Sequence, residues 1–172
     1  MRMQDLPEDE DARLRLLRAL DLLDSPPEPV FDRITRLVAR SLGVPIALVS
    51  LIDARRQWFK SRYGLALSET PREYSFCART IMQREPLVIA DASTDERFED
   101  NPLVTGGPRI RFYAGVAVRS AEGVALGSLC AIDDRPRELD DDDLRTLTDL
   151  ADIVSREMQV REALLGRRPA QD

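Results

Sequence analysis

The order of residue patterns predicts an α+β fold: an antiparallel sheet with the terminal helices gathered on one face, and a short helix plus a long loop over the other. Three observations carry this. Residues 111–118 and 124–132 are apolar at nearly every position and are joined by the polar link Ser120-Ala121-Glu122-Gly123. That is the pattern of an antiparallel hairpin covered on both faces. Leucine-rich stripes of helical spacing lie near both ends of the chain. Between the strands runs an irregular stretch, 91–108, too long to be a simple turn and of the kind that carries function.

Residues 1–11 are polar and acidic and are expected to be flexible, with a single domain over 12–165 and a flexible tail over 166–172. Leu16, Leu17, Leu20 and Leu23 mark a first helix over 12–23, which Ser25-Pro26-Pro27-Glu28-Pro29 breaks. Phe31, Ile34, Leu37, Val38 and Leu42 mark a second helix, closed by Gly43. An apolar strand over 46–52 ends in the turn 53–56, and 57–63 returns beside it. Ser75 is placed to cap a short helix running through Thr80 to about Gln83, and 87–90 is a further buried strand. Gly115 and Gly127 interrupt the hairpin strands, which marks a bulge or a close approach by other atoms. Asp140 caps a long helix whose first turn, Asp141-Asp142-Asp143, suits the positive end of the helix dipole. Leu144, Leu147, Ala151, Val154 and Met158 keep a heptad spacing, interrupted at Arg161 and resumed at Leu165. This stripe either covers the sheet or pairs two copies of the chain, and one stripe with its flank serves both.

Composition narrows the function. The chain has 172 residues, a net charge of −6 and no histidine. The acidic balance argues against a nucleic-acid partner. Without histidine there is no Ser-His-Asp or Cys-His nucleophile, no His-Glu-x-x-His zinc site, no histidine-ligated haem and no phosphoaccepting histidine. No apolar run reaches the ~20 residues that span a bilayer, and the start lacks a signal peptide's pattern, so no membrane is implied and a cytoplasmic location is expected. Two cysteines in apolar contexts, Cys77 and Cys130, fit a reducing compartment. The residues call for neither a metal nor a cofactor.

Sheet, short helix and loop are expected to enclose a pocket. Its candidate lining is Trp58, Phe76, Cys77, Arg79, Asp91, Arg97, Phe98, Phe112, Tyr113 and Cys130. Aromatic rings stack ligands, although most buried rings simply pack. Arg79 and Arg97, with Arg109 and Arg111 nearby, suit a carboxylate or phosphate, although every basic residue here except Lys60 is arginine. Asp91 and Asp95 read as turn or cap residues. Cys77 falls in the first turn of its helix, where the dipole favours thiolate; Cys77 and Cys130 form either a redox pair or two small core residues.

The blocks Phe31-Asp32-Arg33-Ile34-Thr35, 44–53, Gln57-Trp58-Phe59-Lys60-Ser61, Ser75-Phe76-Cys77, Asp91-Ala92, Asp95-Glu96-Arg97-Phe98, Asn101-Pro102-Leu103-Val104, Arg111-Phe112-Tyr113-Ala114-Gly115 and 127–133 resemble, in that order, a GAF domain. They resemble the bacterial sensory subgroup usually found upstream of a histidine kinase or a diguanylate cyclase. The resemblance implies a five- or six-stranded antiparallel sheet, dimerisation through the terminal helices, and a ligand cavity on the sheet face away from them. It names no ligand, since this fold hosts many. Arg79 stands where the subgroup often has histidine, so no covalent tetrapyrrole is implied. The stretch 95–100 departs from the cyclic-nucleotide-binding signature.

The function expected is therefore a non-catalytic sensory module. It would bind a small molecule or sense redox state, act as a homodimer, and signal either to an output held in a separate partner or, if the chain is an excised fragment, to an output domain of a longer protein. The alternatives are a thiol-dependent reductase of the free methionine sulfoxide type and a structural dimerisation module.

Overall fold

The computed structural model describes residues 6–166. Of the stretches expected to be flexible, 1–11 and 166–172, residues 1–5 and 167–172 lie outside the described residues, and Gly166 is the last residue of α5. Six strands form one antiparallel sheet: β1 (Ile46–Ile52), β2 (Arg56–Tyr63), β3 (Glu69–Pro71), β4 (Leu87–Ile89), β5 (Phe112–Arg119) and β6 (Ala125–Asp133), in the order β3-β2-β1-β6-β5-β4. The helices are α1 (Glu10–Ala19), α2 (Pro29–Leu42), α3 (Phe76–Thr80), α4 (Pro102–Thr105) and α5 (Asp141–Gly166). The predicted class holds.

The helices start at side-chain caps or, for α2, at a proline. Asp9 accepts from the Ala12 amide, and α1 begins at Glu10, two residues before the expected start. Residues 10 and 11 are therefore helical, not frayed. Glu10 is held by Arg13 at 2.7 Å and Arg72 at 2.5 Å. Pro29 opens α2, and Gly43 ends it in the left-handed conformation. Asp140 accepts from the Asp143 amide at 2.8 Å to start α5.

Because successive strand residues point to opposite faces, β1, β5 and β6 split their apolar side chains between two cores. Ala47, Val49, Leu51, Phe112, Ala114, Leu129 and Ala131 pack under α1, α2 and α5 with Leu17, Phe31, Val38, Leu147, Val154 and Met158. Leu48, Ile52, Tyr113, Cys130 and Ile132 pack on the far face under α3 and the 91–108 segment, with Phe76, Phe98, Val104 and Ile110. A register shift opposite Val49 and Ser50 leaves Lys60 without a partner on β1. This bulge turns both Lys60 and Ser61 towards α2, where Ser61 donates to Asp32 at 2.6 Å.

The heptad stripe of α5 lies on the sheet: Leu147, Ala151, Val154 and Met158 are buried. Its flank is different. Ile153, Val160 and Leu164 are 51%, 52% and 60% exposed. At i, i+7 and i+11 these three share one side of the helix. No described helix is long and apolar enough to cross a membrane.

Candidate functional site

The short helix α3 is pinned over the sheet at both ends. Ser75 accepts from the Ala78 amide at 3.0 Å and donates to the side-chain Oε1 of Gln57 on β2 at 2.7 Å. Thr80, in the last turn, shares a 2.7 Å hydrogen bond with the Tyr113 hydroxyl of β5. With Thr80 donating, the tyrosine proton points at Cys77, whose sulfur is 3.2 Å away. Ser128 donates to the same sulfur at 3.4 Å, and the Cys130 sulfur lies 3.8 Å from it. Gln57 extends the strip, accepting from Ser50 at 2.9 Å and donating to Thr70 at 2.9 Å. Every member is buried. Polar groups out of water keep their stability only when paired, so this strip specifies one arrangement of α3 on the sheet.

Gly115 makes that arrangement possible. A Cβ there would sit 2.1 Å from the Tyr113 hydroxyl, so the ring lies along its own strand over the glycine and reaches Cys77. At Gly127 a Cβ would lie 1.8 Å from the Ser50 carbonyl oxygen, which lets β1 and β6 approach closely. Both interruptions are therefore close approaches.

The two thiols are not equivalent. Burial pushes the Cys77 thiol up, but hydrogen bonds from Cys130, Ser128 and Tyr113 outweigh it and bring Cys77 down to about 7. The bond shared with Cys77, then burial, hold Cys130 well above the ordinary thiol range. Burial, then the neighbouring thiols' charge, raise the Tyr113 phenol. The ring of donors around its sulfur lowers Cys77, and the helix that carries it runs only over Phe76–Thr80, shorter than the expected run to about Gln83.

The expected lining residues divide into three groups. Phe76, Cys77, Phe98, Tyr113 and Cys130 come together under α3, but they fill the space instead of surrounding it. The Phe76 and Phe98 rings stack at 4.1 Å, and Tyr113 tilts against Phe76 at 5.2 Å. Beside them, Leu48, Gln57, Phe59, Leu103, Ile110 and Ile132 help to enclose a cavity of about 30 Å³. That is the scale of a water or two, where small-molecule sites run to roughly 300–1,000 Å³. Among the described residues, the space between α3 and the sheet is filled by these side chains where a ligand-sized hollow was expected. Trp58 and Phe112 form a second group, on the opposite face in the helix-side core. They are one residue away from Phe59 and Tyr113, and strand alternation turns them over. Arg79, Arg97 and Asp91 form the third. Arg79 and Arg97 are exposed, with guanidinium carbons 5.3 and 5.5 Å from the centre of the Phe98 ring, and Arg97 also pairs with Asp95 at 2.8 Å. Asp91 caps the turn Ala92–Thr94, accepting from the Ser93 amide at 3.0 Å.

Sequence reasoning missed Ser50, Gln57, Thr80 and Ser128. A signal was present: Ser50 and Ser128 sit inside runs otherwise apolar on both faces, and such a residue needs a buried partner.

Comparison with known proteins agrees with this architecture. The sequence matches the GAF domain family over residues 26–158, and the chain belongs to that family. It is 47% identical over 131 residues to a cyclic di-GMP phosphodiesterase of Pseudomonas aeruginosa; the match takes in 76% of this chain and 22% of that protein, so the chain spans a small part of its relative's length. Among solved structures it is similar to the GAF domain of a phosphoenolpyruvate-protein phosphotransferase from Coxiella burnetii, with a TM-score of 0.66 at 15% identity, over 88% of this chain and 95% of that one. It is also similar to the free methionine-R-sulfoxide reductase of Neisseria meningitidis, with a TM-score of 0.62 at 16% identity, over 92% and 95%. At these identities the two structures speak for the fold alone.

Proposed function

We propose that this chain is a regulatory sensory module that carries out no catalysis of its own, works as a pair of copies in the reducing cytoplasm, and passes a signal through its terminal helices to an output of the cyclic di-GMP type. The observation that carries the reading is the two-sided build of α5. One side is buried on the sheet, and the flank exposes Ile153, Val160 and Leu164. A second copy of α5 suits this flank, because a 3.5-residue repeat of apolar residues on an exposed helix packs best against its own kind. Leu37 of α2, 48% exposed, is a further apolar side chain at the surface of the helix layer.

The helix is also fastened to the body in a way that transmits strain. Arg161 grips the Glu28 carboxylate through both its terminal nitrogens, and the Lys60 ammonium of β2 holds the same carboxylate at 2.6 Å. Ser155 accepts from the Arg119 amide of β5 at 3.0 Å. A displacement of β5 or β2 therefore reaches the output helix directly. The likeness to a phosphodiesterase of which the matched part is 22% supports a regulatory segment within a larger system. The chemistry of that relative is not placed on this chain's residues.

Sedimentation equilibrium at micromolar concentration tests the reading. The expected particle has twice the chain mass of 19.4 kDa, and Val160→Asp reduces it to one chain while leaving the fold intact. A wild-type chain that sediments at 19.4 kDa overturns it.

A further inference from the structure

We propose that Cys77 and Cys130 form a peroxide-responsive disulfide site, with Cys77 as the nucleophile and Cys130 as the resolving thiol. This deepens the regulatory reading by naming the class of signal, and it rests on that reading only for its consequence.

The geometry assigns the roles. The sulfurs stand 3.8 Å apart and have to close to about 2.05 Å. Cys77 is carried by α3, a single short helix pinned through side-chain hydrogen bonds at Ser75 and Thr80. Cys130 is fixed in the sheet between β1 and β5. The movement therefore falls on α3. Three hydrogen-bond donors converge on Cys77, from Tyr113, Ser128 and Cys130, and they stabilise negative charge on its sulfur. Cys130 holds its proton.

The step balances with a small peroxide. The Cys77 thiolate attacks one peroxide oxygen and the O–O bond breaks. This leaves a sulfenic acid on Cys77 and a hydroxide, which takes the proton released by the thiol to become water. Cys130 then attacks the sulfenic sulfur and the S–O bond breaks, forming the disulfide and a second water. Two thiols are oxidised and one peroxide is reduced. A dithiol reductant reverses the change.

Burial sets selectivity. Cys77 is 2% exposed and Cys130 fully enclosed, so a bulky disulfide has no line of attack, whereas a small neutral peroxide needs only a transient opening beside α3. Oxidation would draw α3 onto β6. The hydrogen bonds that Tyr113 and Ser128 make to the Cys77 sulfur would then be lost. On β6 the neighbours of Cys130, Leu129 and Ala131, face the opposite core beneath α5. The pull that the closing α3 exerts on Cys130 therefore bears on residues that touch the output side.

The test uses the whole chain, reduced and then exposed to hydrogen peroxide, with alkylation in denaturant and intact mass measurement. The expected result is a loss of about 2 Da, for two hydrogens, and two cysteines that resist alkylation until a dithiol is added. Cys130→Ser is expected to trap a sulfenic acid at Cys77, reactive towards a dimedone-type probe, and Cys77→Ser to give none at Cys130. Glutathione disulfide at the same concentration is expected to react at least about tenfold more slowly, since it must enter a buried site. Two freely alkylated cysteines after peroxide overturn the proposal. So do a gain of about 32 Da, for sulfinic acid, a disulfide that links two chains, or a sulfenic acid on Cys130. A chain that fails to oxidise yet sediments as a pair loses this switch and keeps the docking reading.

Discussion

The two faces of the sheet are built from alternate residues of the same strands, yet they obey different rules. Towards the terminal helices the centre of the core is apolar, with Phe31, Trp58, Phe112, Leu129 and Met158 fitted together, and buried polar groups such as Thr35, Lys60 and Ser61 gather at its margin between β2 and α2. Towards α3 the core is threaded by hydroxyls, an amide and two thiols that bond to one another. An apolar core tolerates many arrangements of similar volume, whereas a paired polar strip tolerates very few. The helix side therefore supplies stability, and the α3 side supplies a defined state that chemistry can change.

Deleting one ring from each face tests this contrast most strongly. Trp58→Ala is expected to cost about 3–5 kcal/mol in urea unfolding, as for large aromatic deletions in a core. Phe98→Ala is expected at the lower end of that span, because Phe98 sits in the 91–108 segment, which can settle onto the space left. The reverse order would show that the loop layer carries the fold.

Phe112 and Tyr113 sharpen it further, being adjacent residues on opposite faces. Tyr113→Phe removes the hydroxyl shared by Thr80, Cys77 and Ser128, and is expected to cost about 1–3 kcal/mol. Phe112→Tyr brings a hydroxyl into the apolar face and is expected to destabilise by a similar amount. If both changes prove neutral in thermal unfolding, the faces are not chemically distinct.

The smallest expected effect concerns the fastening of α5. The hydrogen bond from Arg161, with burial opposing and Lys60 assisting, lowers Glu28 from 4.5 to about 2. A carboxylate depressed in the folded state adds stability that is complete above its unfolded value and is lost as pH falls through the folded one. This contribution is therefore present above about pH 4.5 and fades towards pH 2. Arg161→Ala should flatten the melting temperature's dependence on pH in that window. An unchanged slope means the clasp does not hold the helix.

Much of the fold was legible because punctuation in the chain is local. Gly43 ends α2, Asp53 follows β1, and Ser75 and Asp140 cap their helices where the sequence put them. What escaped was short or depended on neighbours distant in sequence. Glu69-Thr70-Pro71 becomes β3 only because β2 stands beside it, and Asn101-Pro102 opens a four-residue α4 inside a stretch read as irregular. The site was legible in part: Cys77, Cys130, Phe76, Phe98 and Tyr113 do meet. Placing Phe112 on the same wall as Tyr113 conflicts with strand alternation, and on β2 it is Phe59, not the expected Trp58, that faces α3. Whether the wall encloses space depends on how the rings interlock, and no local pattern in the sequence records that. The heptad on α5 was visible, and only the packed sheet distinguishes its buried stripe from the exposed flank at Ile153, Val160 and Leu164.

The account turns on communication from the α3 side, through β5 and β6, to α5. Hydrogen–deuterium exchange of the fully reduced chain against its peroxide-oxidised form measures that link directly. The prediction is altered protection both across residues 75–98 and along 153–166, on opposite faces of the sheet. Changes confined to α3 and its surroundings, with α5 exchanging identically in the two forms, would contradict it.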